Sequence, residues 1–394
     1  MKATFNLKEL NDIIRKVTPA KSSGTKYNMP HMDVVLLKVF NSDDNNLSSV
    51  TVFGSDSYSS FYTGCNIEEV GYCSLTQEAI QLLKTYQAQK LSTVQIEKKK
   101  NLQVVITCGD NSFKYFDRFD ITTFPSPSHI DRKRFFKIKT DAFKLAISSA
   151  IRTTNPDNAA NFGVKEHQKT VFLYVNEDKL VVFSTDSYCA SVSEIDYVFK
   201  SSFFKDDESL MLAFMPQTLS DLRFTEEETT VFVDSNSDFV LFSFISKDGV
   251  NGEVACLKKN IESTNMVNAL PVHMENSIEV SLPLLSTIAK RCGFFSQYFM
   301  LEQITDEDTG QSALIVSSTT DDVGNTKDKI VATVNASKRL KFTLSVEYFV
   351  KLCSLCMSFS DSGDPIFEYD KPQSKIVIAN KDRSWRGYVA VARV

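Results

Sequence analysis

Two aspartates stand in nearly the same surroundings. Asp186 closes LVVFSTDSYCAS (180–191) and Asp56 closes VTVFGSDSYSSF (50–61), 130 residues earlier. A pair of carboxylates can divide general acid and base work. Each of these, however, ends an apolar run and is followed by Ser, the setting of an aspartate that folds a turn by accepting backbone N–H groups two residues on. Cys353-Ser-Leu-Cys356 has the spacing of a metal-binding or redox pair. It lies in a helix-like run with no His or second Cys pair nearby, so it reads as a packing feature. Cys65, Cys73, Cys108, Cys189, Cys256 and Cys292 sit mostly in apolar runs, as buried free thiols do. His31, His129, His167 and His273 are isolated. No GxxxxGK[ST], GxSxG or HExxH string is present. The expectation is a non-enzymatic protein with no catalytic residues, no metal site and no cofactor.

The two strings matter more as a repeat. A third, worn copy is Leu314 to Asp321, LIVSSTTD, about 135 residues further on. A period of one-third of 394 residues is too long for a solenoid and implies three copies of one domain.

Composition allows this. Hydrophobic residues make up 42% and there are 30 Phe, enough for several cores, while Gly and Pro are sparse. No apolar run approaches the length of a membrane span, and MKATFNLKEL lacks the apolar core of a signal peptide. A cytoplasmic protein with no membrane partner is expected. The net charge of −5 lowers the odds of nucleic-acid binding without excluding it, because the placement of the cations decides.

The elements that would position these residues recur in order. The first is a helix from Asn6 to Val17, with Asn6 as N-cap, Leu7, Leu10, Ile14 and Val17 inward, and Lys8, Asn11, Arg15 and Lys16 outward. The strand Asp33–Phe40 follows, then Val50–Phe53 and a helix from Ser74 to about Gln89 with Lys84 and Gln87 outward. Strands at Thr93–Glu97 and Leu102–Thr107 precede a linker, Asp120 to Ser128. The second third reads as strand Phe135–Lys139, then a helix capped by Thr140 with Phe143, Ala146, Ile147, Ala150 and Ile151 inward and Lys144, Ser148 and Arg152 outward. Strands at Thr170–Val175, Lys179–Ser184 and Leu210–Phe214 come next, then a short helix, Met215–Phe224, strands at Thr229–Asp234 and Phe239–Ile245, and a loop from Lys247 to Glu253. The last third has strand Ser277–Val280, a helix starting at Ser281 with Lys290 and Arg291 outward, and strands at Tyr298–Gln303, Ala313–Ser317 and Lys329–Ala336. Strand Arg339–Leu344, a helix at Ser345–Met357, and strands at Pro365–Tyr369, Lys375–Ala379 and Trp385–Ala392 complete it. Each third is thus two strand–helix–strands units. In several units the outer helix face is basic. A solvated surface accounts for any single one, but the recurrence points to a shared positive surface.

This order, and several local strings, resemble the bacterial DNA polymerase III beta subunit, the sliding clamp. MKATFNLKELNDIIRKV is similar to that family's opening strand and helix. Lys26-Tyr-Asn-Met-Pro30 resembles its basic-x-x-x-Pro turn, and Phe124-Pro125 the Phe-Pro closing its first domain. FSTDSYCAS resembles its Ala-Thr-Asp-Gly-His-Arg-Leu-Ala string, and Tyr388-Val-Ala-Val-Ala-Arg-Val394 its apolar tail ending in Met-Arg-Leu. Ser187, Tyr188, Cys189 and Ala190 replace Gly-His-Arg-Leu, Val391 stands where the family usually has Pro, and Ala392 where it usually has Met. Extra residues lie around Asn155–Gln168 and Asp306–Gly310. A divergent member is the expectation.

The resemblance implies an α+β chain of three clamp domains, 1–128, 129–265 and 266–394, which closes as a head-to-tail homodimer into a ring. It implies a DNA sliding clamp, the processivity factor that encircles double-stranded DNA without reading sequence. Partners would be the replicative DNA polymerase, the clamp loader, and other repair and replication proteins carrying a clamp-binding motif. The family's partner-peptide pocket carries over to Thr185, Ser187, Tyr188, Cys189 and Ala190 with Val389, Ala390, Val391, Ala392 and Arg393; a plain edge strand is the other reading of that tail. Candidate phosphate contacts are Lys8, Arg15, Lys26, Lys84, Lys144, Arg152, Lys290 and Lys351. Phe294 and Phe295 are candidates for the dimer contact or for core packing. The runner-up is a clamp-like interaction scaffold that is never loaded on DNA.

Overall fold

The structure, a computed structural model, describes residues 1–17, 34–42, 45–53, 57–124, 130–155, 164–204, 209–220, 222, 226–245, 251–261, 274–305, 312–320, 324–335, 340–359, 365–369 and 375–392. Two compact units result. One comprises Met1–Thr140, Val198–Lys205 and Gln217–Lys258, the other Asp141–Tyr197, Asp206–Pro216 and Lys259–Val394. Six α-helices occur among the described residues: α1 (Leu7–Val17), α2 (Gln77–Ala88), α3 (Thr140–Arg152), α4 (Pro216–Ser220), α5 (Leu282–Cys292) and α6 (Val346–Ser358).

The first unit holds two antiparallel sheets. The smaller runs Asn66–Glu69, Lys2–Asn6, Thr93–Lys98, Gln103–Cys108, Asn111–Phe116. The larger runs Phe135–Lys139, Glu228–Val233, Phe239–Ile245, Asn251–Leu257, Ser57–Gly64, Asn45–Phe53, Val35–Ser42, Gly71–Leu75. The pairing of Asn251–Leu257 with Ser57–Gly64 makes one sheet from segments far apart in sequence and leaves neither of those edges open. Helix α1 begins as its sequence dictates: the Asn6 carboxamide oxygen accepts the Lys8 and Glu9 N–H groups at 3.0 and 3.2 Å. Leu7, Leu10, Ile14 and Val17 are buried.

One outward assignment is corrected. Asn11 is buried, because its Nδ2 donates to the Leu83 carbonyl of α2 at 3.0 Å, so a polar residue serves as the joint between two helices. Lys16 and Gln87 are half-buried rather than fully outward. The stretch expected as a loop, Lys247 to Glu253, enters the strand Asn251–Leu257.

The second unit repeats the scheme. Its long sheet runs Leu210–Phe214, Val171–Val175, Lys179–Thr185, Cys189–Lys200, Trp385–Ala390, Lys375–Ala379, Ile366–Tyr369, Asn276–Glu279, Thr333–Asn335. A four-stranded sheet runs Gly324–Val331, Ser312–Thr320, Tyr298–Thr305, Lys341–Ser345. Its core is built on α5 and α6, through Leu285, Ile288, Phe349 and Leu352, with Trp385 fully buried. Trp385 Nε1 donates to Ser149 Oγ of α3 at 2.8 Å, which satisfies its one polar atom. Cys353 and Cys356 are buried free thiols on the inner face of α6. The repeated strings behave alike: Asn45–Phe53, Lys179–Thr185 and Ser312–Thr320 each pair with the strand that follows.

Several strands escaped the sequence reading. Ser57–Gly64, Asn66–Glu69, Gly71–Leu75, Asn111–Phe116 and the long Cys189–Lys200 are all strands. Lys329–Ala336 is divided between Gly324–Val331 and Thr333–Asn335. Of the short helix expected over Met215–Phe224, Pro216–Ser220 is helical among the described residues. The linker reading of Asp120 to Ser128 is modified at its start, where Ile121–Thr123 forms a 3-10 turn capped by Asp120.

Candidate functional site

The Asp186 turn is the centre of a surface site in the second unit. Lys179–Thr185 runs into it and Cys189–Lys200 leaves it. Asp186 Oδ1 accepts the N–H groups of Tyr188 and Cys189 at 2.8 and 2.7 Å. This is the turn-forming role read from its sequence setting. Thr185 Oγ1 donates to the Cys189 carbonyl at 2.8 Å and accepts Ser187 N–H at 3.0 Å. Ser187 occupies the left-handed region with φ 78°, a conformation unusual for a residue with a Cβ. Gln168 braces it, its Nε2 donating to Ser187 Oγ at 2.5 Å and to the Asp186 carbonyl at 3.3 Å.

The turn places Tyr188 outward, 62% exposed, with Cys189 and Ala190 buried beneath. Cys189 Sγ donates to Asp186 Oδ2 at 3.4 Å, and burial, then the Asp186 charge, push its thiol pKa up. A neutral thiol serves here as packing, not as a nucleophile. The tail lies alongside. Cys189 pairs with Val389 and Ala190 with Tyr388, while the Ala390 N–H donates to the Tyr188 carbonyl at 2.8 Å. Beyond the strand, Val391 packs on the core and Ala392 N–H donates to the Thr343 carbonyl at 2.8 Å. Thr185, Ser187, Tyr188, Cys189 and Ala190 therefore do come together with Val389, Ala390, Val391 and Ala392; Arg393 lies outside the described residues.

Sequence reasoning missed the third wall. Tyr348 of α6 stacks on Tyr188, centroids 5.8 Å apart and planes 11° apart. Lys351 Nζ lies 5.1 Å from the Tyr348 ring centre. Burial, followed by the Asp186 charge, pushes the Tyr348 hydroxyl up to about 12. Tyr348 lies far along the chain, and nothing local marks it as a neighbour of the Asp186 turn. The result is a shallow surface with an aromatic shelf, a cation, and a hydrogen-bonded floor.

Among the cations singled out, Lys8 and Arg15 of α1 and Lys84 of α2 are exposed in the first unit, and Lys144, Arg152 and Lys290 of α3 and α5 in the second. Arg15 pairs with Asp12 at 3.1 Å. Lys351 differs: it is half-buried beside Tyr348 and belongs with the Asp186 surface. Lys26 lies outside the described residues. Phe294, just past α5, is 83% exposed and so is no core residue, whereas Phe295 is half-buried. Phe116, unremarked in the sequence, is 62% exposed on Asn111–Phe116, one of the two edge strands of its sheet among the described residues. Among the described residues no cluster of three or more potential metal ligands occurs, and no helix is long and apolar enough to cross a membrane.

No family model matches the chain, and no curated protein matches it. Solved structures do. The DNA polymerase sliding clamp from Bacillus subtilis is similar at a TM-score of 0.79 with 17% identity, over 100% of this chain and 99% of that one. A putative DNA polymerase III beta subunit from Eubacterium rectale gives 0.77 and 15%, over 100% of both chains. The beta subunit from the DNA polymerase of Streptococcus pyogenes gives 0.79 and 14%, also over 100% of both. From first strand to last, the chain has the fold of the DNA polymerase III beta-subunit sliding clamps.

Proposed function

We propose that the protein is a DNA sliding clamp. Two chains join head to tail, enclose duplex DNA, and tether a replicative polymerase to it. The observation that carries this reading is the likeness to sliding clamps over the full length of both chains, at TM-scores of 0.76–0.80. In the proposal the three clamp domains are 1–128, 129–265 and 266–394.

A clamp performs no chemistry. It converts repeated encounters of polymerase and DNA into a nearly intramolecular event. Its DNA contacts must be to phosphates alone, since a sliding protein cannot favour one sequence. The exposed Lys8, Arg15, Lys84, Lys144, Arg152 and Lys290 supply such contacts, each weak and salt-sensitive; Lys26 belongs with them by its sequence position. The head-to-tail contact uses Phe294 and Phe295, together with the open edge strand that carries Phe116.

The surface of Thr185, Ser187, Tyr188, Cys189 and Ala190 with Val389 to Arg393, completed by Tyr348 and Lys351, takes a short linear motif from the polymerase, the clamp loader or a repair protein. Tyr188 and Tyr348 offer a rigid aromatic anchor site, of the kind that dominates binding energy in small interfaces. The protein works in the cytoplasm, without membrane or cofactor. Electron microscopy of the purified protein near micromolar concentration, with mass in solution alongside, tests the assembly: a six-lobed ring of two chains supports it, and a solid monomer at every concentration removes it.

A further inference from the structure

Ser187 is held in a conformation that its own side chain disfavours. Its φ of 78° lies in the left-handed region, where a Cβ crowds the following carbonyl and glycine is the residue at ease. Strain of this kind persists where neighbouring groups impose it, and it clusters at ligand sites. Ser187 stands one residue before Tyr188, so its backbone angle aims the ring that stacks on Tyr348. Within the hairpin, Ser187 N–H donates to Thr185 Oγ1 at 3.0 Å, and the N–H groups of Tyr188 and Cys189 donate to Asp186 Oδ1. A further brace comes from outside the hairpin.

Gln168 supplies it, from the 3-10 turn Glu166–Lys169. Its carboxamide is fixed at both ends. Oε1 accepts Lys165 N–H at 2.7 Å, which leaves Nε2 to face the hairpin. Nε2 donates to Ser187 Oγ at 2.5 Å and to the Asp186 carbonyl at 3.3 Å. The support is itself anchored. The Gln168 carbonyl accepts Asn155 N–H at 2.7 Å, and Thr170 Oγ1 donates to the Glu166 carbonyl at 2.7 Å. The two bonds from Nε2 straddle one rotatable bond. The Asp186 carbonyl shares a planar peptide with Ser187 N, and Ser187 Oγ hangs from Ser187 Cα. Holding both restrains rotation about N–Cα, which is φ itself.

We propose that Gln168 is a positioning residue of the partner-peptide surface. It keeps Ser187 left-handed and so seats the Tyr188 ring on Tyr348 before any peptide arrives. The proposal rests on reading that surface as the peptide site. Serine at 187 makes the site depend on residue 168; glycine there would not.

Fluorine NMR of the full chain carrying fluorotyrosine tests the seating, with a labelled polymerase tail peptide for affinity. Tyr188→Phe assigns the Tyr188 signal, and Tyr348→Leu shows where that signal lies without the stacked ring. Gln168→Ala should move the signal most of the way to the Tyr348→Leu position. It should also weaken the peptide about tenfold, since only the fraction of chains with the ring seated binds. Adding Ser187→Gly to Gln168→Ala should restore both, because glycine takes the left-handed angle freely. Damage to the Glu166–Lys169 turn alone would not be restored. An unmoved signal in Gln168→Ala, or no restoration by Ser187→Gly, would overturn the proposal. So would an unchanged affinity while the signal moves. If the peptide does not bind the unaltered chain, the peptide-site reading falls, and the fluorine signal alone decides on the brace.

Discussion

The ring of Tyr188 lies on the ring of Tyr348, 5.8 Å away and nearly parallel, although 160 residues separate them in the chain. The first projects from the turn folded by Asp186 and the second from the opening turn of α6. Tyr188→Ala should weaken a clamp-binding peptide by roughly tenfold, ~1.4 kcal/mol. Its melting temperature should change little, since the ring is largely exposed. Titration calorimetry with a polymerase tail peptide checks this, and unaltered affinity would remove the stack from the site.

Removing residues 391–394 should abolish peptide binding and leave the dimer intact. Val391 packs on the core and Ala392 is tied to Thr343, so the tail is held in place and not merely trailing. Sedimentation velocity beside the peptide titration decides. Loss of the dimer would show that the tail is structural.

Lys8→Glu, Lys144→Glu and Lys290→Glu together should cut DNA affinity steeply, and the slope of log affinity against log salt should fall by about one per lost phosphate contact. All three side chains are exposed, so folding should be spared. Retention of the same salt slope would mean that these helix faces do not meet DNA.

Acid stability should depend on Asp117. Burial alone would raise its pKa, but the Ser74 hydroxyl, the Lys98 ammonium, and the backbone N–H groups of Ser74 and Phe119 outweigh it and hold the carboxyl below its ordinary value. A folded-state pKa that is depressed contributes stability above the unfolded value of about 3.9, and that stability is lost as pH falls through the folded value. Asp117→Asn should cost roughly 3 kcal/mol at neutral pH, leaving the buried Lys98 unpaired. It should also flatten the acid limb of a melting-temperature profile, and an unchanged limb would contradict the assignment.

The thiols should be inert in the folded chain. Burial pushes Cys73 up to about 12 and Cys353 well above the ordinary thiol value. Iodoacetamide should leave both unmodified until the protein is denatured, when all eight cysteines react. Modification of native Cys353 or Cys356 would reopen a redox role for the pair.

Much of this architecture was legible in the sequence, for physical reasons that also mark where reading stopped. α1, α3, α5 and α6 declare themselves because one apolar stripe recurs at the helical period, and α1 also by its cap, Asn6. Thr140, expected to cap α3, is instead the first residue of that helix, its hydroxyl bonded to Thr229. Ser57–Gly64 was missed because most of its buried side chains are hydroxyls: Ser57, Ser59, Ser60 and Thr63 are buried beside Phe61, and Ser60 Oγ is bonded to Thr51 Oγ1 at 3.0 Å. Hydrogen bonding replaces apolar burial there, and hydropathy alone does not register it. Asn11 misled for a related reason: its amide nitrogen donates to a carbonyl of another helix, which holds a polar side chain inward. At the Asp186 surface the turn and the tail could be read, because each carries a string. Tyr348 could not, because its place depends on how α6 packs, and exposed edges such as Phe116 appear only once the sheet order is known.

Salt-resistant retention on circular DNA, compared with the same DNA linearised, tests the central claim most directly. The protein is assembled on nicked circles with its loader, filtered through a sizing column, and then cut with an enzyme that opens the circle. An encircling clamp stays with the circle through salt that removes ordinary phosphate binders and is lost when the ends are freed. Equal retention on circular and linear DNA, or none on either, would contradict the account and leave a clamp-shaped scaffold that acts through protein partners alone.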